Sequence, residues 1–241
     1  MGDGMDLARV AGALGERTRA SMVIELLGGE ALPVSALARA AGVAPSTASD
    51  HVARLERAGL VRVRSSGRER LVALAGHEVA EAIEALTLLT GAGEVRSLRA
   101  ADRLAAERAA RSCYDHLAGR LGVAVCDALC ASGALEPGSL ALRDPDPLER
   151  LGVDVAAARA GRRPLTRACL DWSERRPHLA GGLGASLLAV LLERAWVARR
   201  PGGRALRVTA AGHAGLERVL GIDAAHVGID HAGATRGGRA A

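Results

Sequence analysis

The sequence predicts a mainly α fold with small β-hairpin wings (α+β): an N-terminal helical unit followed by a C-terminal domain of two helix/hairpin repeats. Three observations carry this expectation. Apolar residues recur at helical spacing through most of the chain. That spacing twice gives way to alternation around a Gly-Arg turn, as in "LVRVRSSGRERLVAL". The phrase "HLAGRLG" at His116–Gly122 also returns as "HLAGGLG" at His178–Gly184.

Met5 to Leu14 carries apolar residues at helical spacing, and a second helix, "RTRASMVIELLGG", stops at Gly28–Gly29. "PVSALARAAGV" is a short helix with Leu37 and Ala40–Ala41 facing inward, ended by Gly42. Pro45 suits the first turn of the next helix, "PSTASDHVARLERAG", because its missing N–H costs nothing there. Ala48, Val52 and Leu55 fall on one face of that helix at i, i+4 and i+7. The other side presents Ser46, Thr47, Asp50, His51 and Arg54, short polar groups with one long cation. A helix that reads base edges needs such groups, since bulkier ones would hold it out of the major groove. The hairpin after Gly59 places Arg64, Arg68 and Arg70 near phosphates or the minor groove. Helix, turn, helix and basic hairpin in this order predict a winged helix-turn-helix.

The stretch from "LGERTR" through "STASDHVARLERAGLV" to the "GRER" turn resembles the ArsR-type winged-helix repressors of bacteria, from about Met5 to Leu89. The resemblance implies a homodimer paired through the first helix and the helix after the wing (His77 to Leu89), bound to an inverted repeat in two successive major grooves. Carried over by position, it implies DNA contacts at Ser46, Thr47, Ser49 and His51. Asp50 departs from the pattern, where a basic or amide residue is commoner; it either accepts from a cytosine amine or repels phosphate. Many members of that family sense metals through Cys-x-Cys on the helix before the reading helix, where this chain has "PVSALA". The helix after the wing offers only His77, Glu78, Glu81 and Glu84, so the family's familiar metal switches are expected to be absent.

"GAGEVRSLRAA" reads as a linker into a helix that continues to about Ser112. Beyond it, "RSCYDHLAGRLG" from Arg111 and "RACLDWSERRPHLAGGLG" from Arg167 share Arg-x-Cys-x-Asp and His-Leu-Ala-Gly-x-Leu-Gly, with "WSERRP" inserted in the second. Both run on through an apolar helix and close on "LERLGVD" and "LERVLGID". A diverged tandem duplication is expected. The second copy also echoes the wing, in "LERAWVARRPGGRALRVTAAGHAG". Its helix in the reading position, "HLAGGLGASLLAVLLERA", is apolar nearly all round and belongs in a core, so no second DNA reader is expected, although Arg199, Arg200 and Arg204 stay open as DNA contacts.

The duplication sorts the cysteines. Cys126 and Cys130 stand i, i+4 on a helix, a spacing that suits a soft metal or arsenite, but the second copy has Leu188 and Leu192 there, which favours core packing. Cys113, Asp115 and His116 instead match Cys169, Asp171 and His178, and the two sets would converge if the copies pack about a pseudo-twofold axis. Three readings stay open. The set forms an effector pocket, it holds a structural metal, or Gly and Ala merely let helices approach while Asp pairs with Arg. No cofactor is assigned beyond such a metal or small-molecule effector.

The expected organisation is a winged helix-turn-helix DNA-binding and dimerisation domain at 1–90, a linker and connecting helix at 91–110, an effector domain at 111–223 with repeats 111–154 and 167–223, and a disordered tail at 224–241. Composition limits the function classes. Net charge is +5, and all 32 basic residues are arginine, a balance that favours a polyanionic partner. Aromatic residues are 1%, which argues against base stacking on a sheet. The chain begins without a signal-peptide pattern and contains no apolar run of the ~20 residues that span a bilayer, so a cytoplasmic location without membrane attachment is expected. No phosphate loop, nucleophile elbow or HExxH is present, so no enzyme is expected. The expected function is a homodimeric repressor on an inverted-repeat double-stranded operator, released by an effector sensed in the C-terminal half. The alternative is a nonspecific architectural DNA-binding protein.

Overall fold

The computed structural model describes residues 3–89, 97–223 and 225. Residues 91–96 of the expected linker and connecting helix at 91–110, and nearly all of the expected tail at 224–241, lie outside them. Two compact units emerge: Met1–Gly93 with Gly202–Arg204, and Glu94–Pro201 with Ala205–Ala241.

In the first unit, α1 (Asp3–Leu14), α2 (Arg17–Leu26), α3 (Val34–Ala41) and α4 (Pro45–Arg57) precede a hairpin and α5 (His77–Thr87). The carboxylate of Glu16 caps α2 by accepting from the Thr18 and Arg19 amides at 2.9 and 3.0 Å. Strand β2 (Val61–Ser66) pairs antiparallel with β3 (Glu69–Leu74), and β3 also carries the two-residue strand β1 (Leu32–Pro33), giving the order β1-β3-β2. Met22, Val23, Leu37, Ala48, Val52, Leu55 and Val72 are fully buried. The apolar face expected of "PSTASDHVARLERAG" is therefore the face that packs.

The second unit runs α6 (Leu98–Ala109), β4 (Arg111–Cys113), β5 (His116–Ala118), α7 (Gly119–Ala131), α8 (Asp146–Arg150) and α9 (Val155–Ala160). It continues with β6 (Arg167–Leu170), β7 (Pro177–Ala180), α10 (Gly181–Glu193), β8 (Val197–Arg199), β9 (Leu206–Val208) and α11 (Ala210–Leu220). Two expectations are corrected here. The helix expected to reach Ser112 ends at Ala109, and Arg111–Cys113 is a strand. "HLA" likewise closes a hairpin in both copies, and the core helices begin only at Gly119 and Gly181. These strands are three or four residues long, too short for alternation to compete with the helical spacing around them.

The two hairpins pair in the same register. Arg111, Ser112 and Cys113 face Ala118, Leu117 and His116, and Arg167, Ala168 and Cys169 face Ala180, Leu179 and His178. Gly119 and Gly181 then turn strand into helix at φ 78° and 82°. A Cβ at either would meet a backbone carbonyl oxygen, Arg108 O at 2.8 Å or Pro164 O at 2.7 Å. The helices exchange partners: α7 packs on β7 and α10 on β5. Leu117, Leu121, Leu129, Leu179, Leu183, Leu187 and Leu191 meet in one core.

Candidate nucleic-acid interface and Cys/His cluster

Pro45 opens α4 at its first turn, and Ser46, Thr47, Asp50 and Arg54 project from the helix into solvent. Ser49 is half-buried, and its hydroxyl donates to the Pro45 carbonyl at 3.0 Å. His51 stands apart from this row. Its side chain is only 16% exposed, with Nδ1 3.5 Å from the Glu16 carboxylate and 3.4 Å from Arg19 Nη1. It therefore ties α4 to the N-terminus of α2. The two amides donating to Glu16, from Thr18 above all, outweigh the opposing effect of desolvation and hold that carboxyl down at about 2.

Beyond α4, the Glu56 carboxylate accepts from the Val63 amide at 3.2 Å and fixes the wing against the helix. Arg64, Arg68 and Arg70 are exposed, as is Arg62, which the sequence reading passed over. Arg62 lies two residues before Arg64 on β2 and so shares its face, a placement the alternation "LVRVR" already contained. A short polar helix face beside an arginine-bearing hairpin can insert into a groove while the hairpin meets phosphate. The class this fold and surface define is a winged helix-turn-helix DNA-binding protein.

In the second unit, Cys113, His116, Cys169 and His178 come together, with one ligand-type atom from each lying within 4.8 Å of all the others. Each hairpin contributes a directly cross-strand Cys–His pair. The two sulfurs are 4.0 Å apart, and the imidazoles stack with centroids 5.1 Å apart. Cys113, His116 and His178 are buried, and Cys169 is partly so. His116 Nε2 and both ring nitrogens of His178 are buried without a hydrogen-bond partner. The repeated heptad is thereby explained at its histidine and its last glycine. Its second glycine supports the cluster, since Gly184 lies where a Cβ would come 3.2 Å from His116 Cβ, and Gly122 lies opposite His178 Cβ at 3.8 Å.

Two carboxylates stand behind the imidazoles, and their settings differ. Asp115 Oδ1 is 3.2 Å from His116 Nδ1, and its carboxylate also pairs with Arg163. Desolvation works against the Asp115 charge, but the His116 and Arg163 contacts prevail and lower its pKa to about 2. Asp171 is wholly buried. Its Oδ2 accepts from Arg111 Nη2 at 2.9 Å and the Gly119 amide at 2.7 Å, and its Oδ1 from the Ser173 and Glu174 amides at 2.9 and 3.1 Å. Burial alone would raise the Asp171 pKa, yet Arg111 and these donors hold it well below the carboxylate range. The same Oδ2 is 3.5 Å from His178 Nδ1. Arg111, also wholly buried, has its guanidinium 4.8 Å from the centroid of the Trp172 ring. Ser173, Trp172 and Arg163 are parts of this site that the sequence reading missed. The first two come from the inserted "WSERRP", and Arg163 lies between the repeats.

Charge within the cluster is polarised. The Cys113 thiol, then the two imidazoles, favour the Cys169 thiolate over its desolvation and pull its pKa far below the thiol range. Burial pulls His116 down, but Asp115 and Cys169 outweigh it and leave its pKa raised. Cys126 and Cys130 behave differently: burial pushes Cys126 up to about 12 and also raises Cys130, so both remain thiols on the core side of α7.

Comparison with known proteins agrees with the class. The family described as "Helix-turn-helix domain" matches residues 14–64. The "Uncharacterized HTH-type transcriptional regulator YdfF" of Bacillus subtilis (strain 168) is 35% identical over 221 residues, spanning 90% of this chain and 98% of that protein. The chain belongs to this family of helix-turn-helix transcriptional regulators. Among solved structures, the homodimeric winged helix-turn-helix DNA-binding domain of Mb0332 from Mycobacterium bovis, a possible ArsR-family regulator, is 31% identical with a TM-score of 0.33, covering 35% of this chain and 77% of that one. Reduced HlyU from Vibrio cholerae N16961 is 27% identical with a TM-score of 0.34, covering 37% of this chain and 94% of its own. Among the described residues, no helix is long and apolar enough to cross a membrane.

Proposed function

We propose that this regulator is a homodimeric repressor that reads an inverted-repeat operator through α4, contacts phosphate through its wing, and is released by an effector sensed at the Cys/His cluster. The observation that carries the DNA reading is the exposed row Ser46, Thr47, Asp50 and Arg54 on α4, flanked by Arg62, Arg64, Arg68 and Arg70. Ser49 and His51 act from behind this row, His51 by setting the angle of α4 against α2. Exposed apolar side chains support the dimer: Leu7 on α1 is 70% exposed, Leu86 on α5 48% and Leu89 82%, surface that a second copy would cover. An effector releases DNA by binding the DNA-competent and incompetent dimers with different affinity. The action is cytoplasmic and needs no catalytic step.

Arg54→Ala and Arg68→Ala test this assignment by fluorescence anisotropy on operator and scrambled duplexes across a salt series. Arg54→Ala is expected to cost about 1–3 kcal/mol on operator and little on scrambled DNA. Arg68→Ala is expected to weaken both alike and reduce the salt slope by about 1. Equal weakening of both duplexes by Arg54→Ala would refute readout by this helix face.

A further inference from the structure

We infer that Cys113, His116, Cys169 and His178 form a closed, four-coordinate zinc site that fastens the two hairpins of the C-terminal unit to each other. The inference takes from the proposed function only the statement that this cluster is where the unit senses its effector, and it names the class of that effector as a borderline-soft divalent cation.

Four observations point to a cation. The donor set is two sulfurs and two imidazoles, the Cys2His2 combination that tetrahedral zinc accepts. The sulfur spacing fits as well. With Zn–S bonds of about 2.3 Å, two sulfurs on one tetrahedron lie about 3.8 Å apart, and here they are 4.0 Å apart. The sulfurs are not joined at this distance, since a disulfide needs about 2.05 Å, and a disulfide would leave two stacked, buried imidazoles with nothing to bind. The third observation is the orphaned Nε2 of each ring, because a buried ring nitrogen without a partner is costly and a metal satisfies it. The fourth is the support behind the ligands. Asp115 occupies His116 Nδ1 and Asp171 stands behind His178 Nδ1, which leaves Nε2 of each ring as the nitrogen to bind a metal. A carboxylate behind each histidine is the arrangement that orients metal-bound imidazole and raises its basicity. Two thiolates would also balance the charge of a divalent ion, so the filled site is neutral where the surroundings are dry.

The site differs from the cysteine and acidic/histidine sites that the sequence comparison found missing in the first unit. All four ligands lie in the second unit, and they arise in pairs, one Cys–His pair from each copy of the repeated phrase. Neither hairpin alone supplies more than half of the donors.

The test uses the full-length chain, purified with reductant, loaded with zinc and dialysed, with bound metal counted by elemental analysis. About one zinc per chain is expected. Replacement by cobalt(II) should give intense visible bands of a tetrahedral ion and a near-ultraviolet thiolate-to-metal band. Cys169→Ser and His178→Ala should lose the ion, while Cys126→Ser/Cys130→Ser should keep it. Should the first two fail to fold, Asp115→Asn carries the test. It leaves all four ligands in place and should lower zinc affinity by about 10–100-fold in competition with a chromophoric chelator. A chain that holds no zinc, zinc lost with Cys126 and Cys130 but kept without Cys169, or an unchanged affinity in Asp115→Asn overturns the inference. The count is made without DNA. Zinc bound with no change in operator affinity would sink the effector reading and leave the site standing; operator binding by a chain that takes up no zinc would sink the site and leave the DNA-binding reading standing.

Discussion

Asp115 and Asp171 occupy the same place in the two copies of the repeat, yet neutralising them should have very different consequences. In Asp171→Asn the side chain keeps its shape and loses its charge, leaving the Arg111 guanidinium wholly buried without a counter-ion. Removing one partner of a buried pair costs about 3–5 kcal/mol. The lower end applies here, because Arg111 still donates to the Glu107 carbonyl at 3.2 Å and Ser173 Oγ at 3.3 Å and still lies over Trp172. At about 2–4 °C per kcal/mol for a chain of this size, the expected loss in melting temperature is about 6–12 °C. Asp115 and Arg163 are 28% and 29% exposed, and in the metal-free chain breaking such a pair costs about 1 kcal/mol or less. Both tryptophans of the chain, Trp172 and Trp196, lie in the second unit, so intrinsic fluorescence during thermal melting reports on that unit. Equal destabilisation by Asp115→Asn and Asp171→Asn would refute the claim that burial of the Arg111–Asp171 pair sets the difference.

Two further outcomes follow from the same coordinates. In Gly184→Ala the new Cβ would sit 2.5 Å from the Leu179 carbonyl oxygen and 3.2 Å from His116 Cβ. Because backbone must move to admit it, a loss of about 1–3 kcal/mol is expected in urea unfolding, and an unchanged midpoint would show that the helix is not held this close. Glu16 has a depressed carboxyl, so its cap stabilises the first unit above the unfolded carboxylate pKa of about 4.5, and that contribution fades as pH falls towards about 2. The stability gap between wild type and Glu16→Gln, followed by circular dichroism, should therefore be full at pH 7 and shrink through the acid range. A gap independent of pH would contradict the charged cap.

The first unit was legible in the sequence because local chemistry decides it. Pro45, the spacing of Ala48, Val52 and Leu55, and the Gly67 turn each act within a few residues. The orientation of His51 was not, since it depends on Glu16, 35 positions earlier in the chain. In the second unit the repeated phrase matched Cys113 and His116 to Cys169 and His178, but their convergence stood as one of three open readings, and the elements that hold them left no signal. Tyr114 turns the first hairpin at φ 60°, a conformation that no glycine or asparagine announces. The unequal fates of Asp115 and Asp171 arise from the six inserted residues, whose Trp172 and Ser173 enclose Arg111. That enclosure is tertiary and leaves no periodic trace in the sequence.

Selection from a pool of random duplexes on the full-length protein tests the central claim most directly. The account predicts enrichment of an inverted repeat whose half-site centres lie about 10–10.5 base pairs apart, or a multiple of that spacing. Recovery of sequences with no shared motif, bound as tightly as the starting pool, would contradict it.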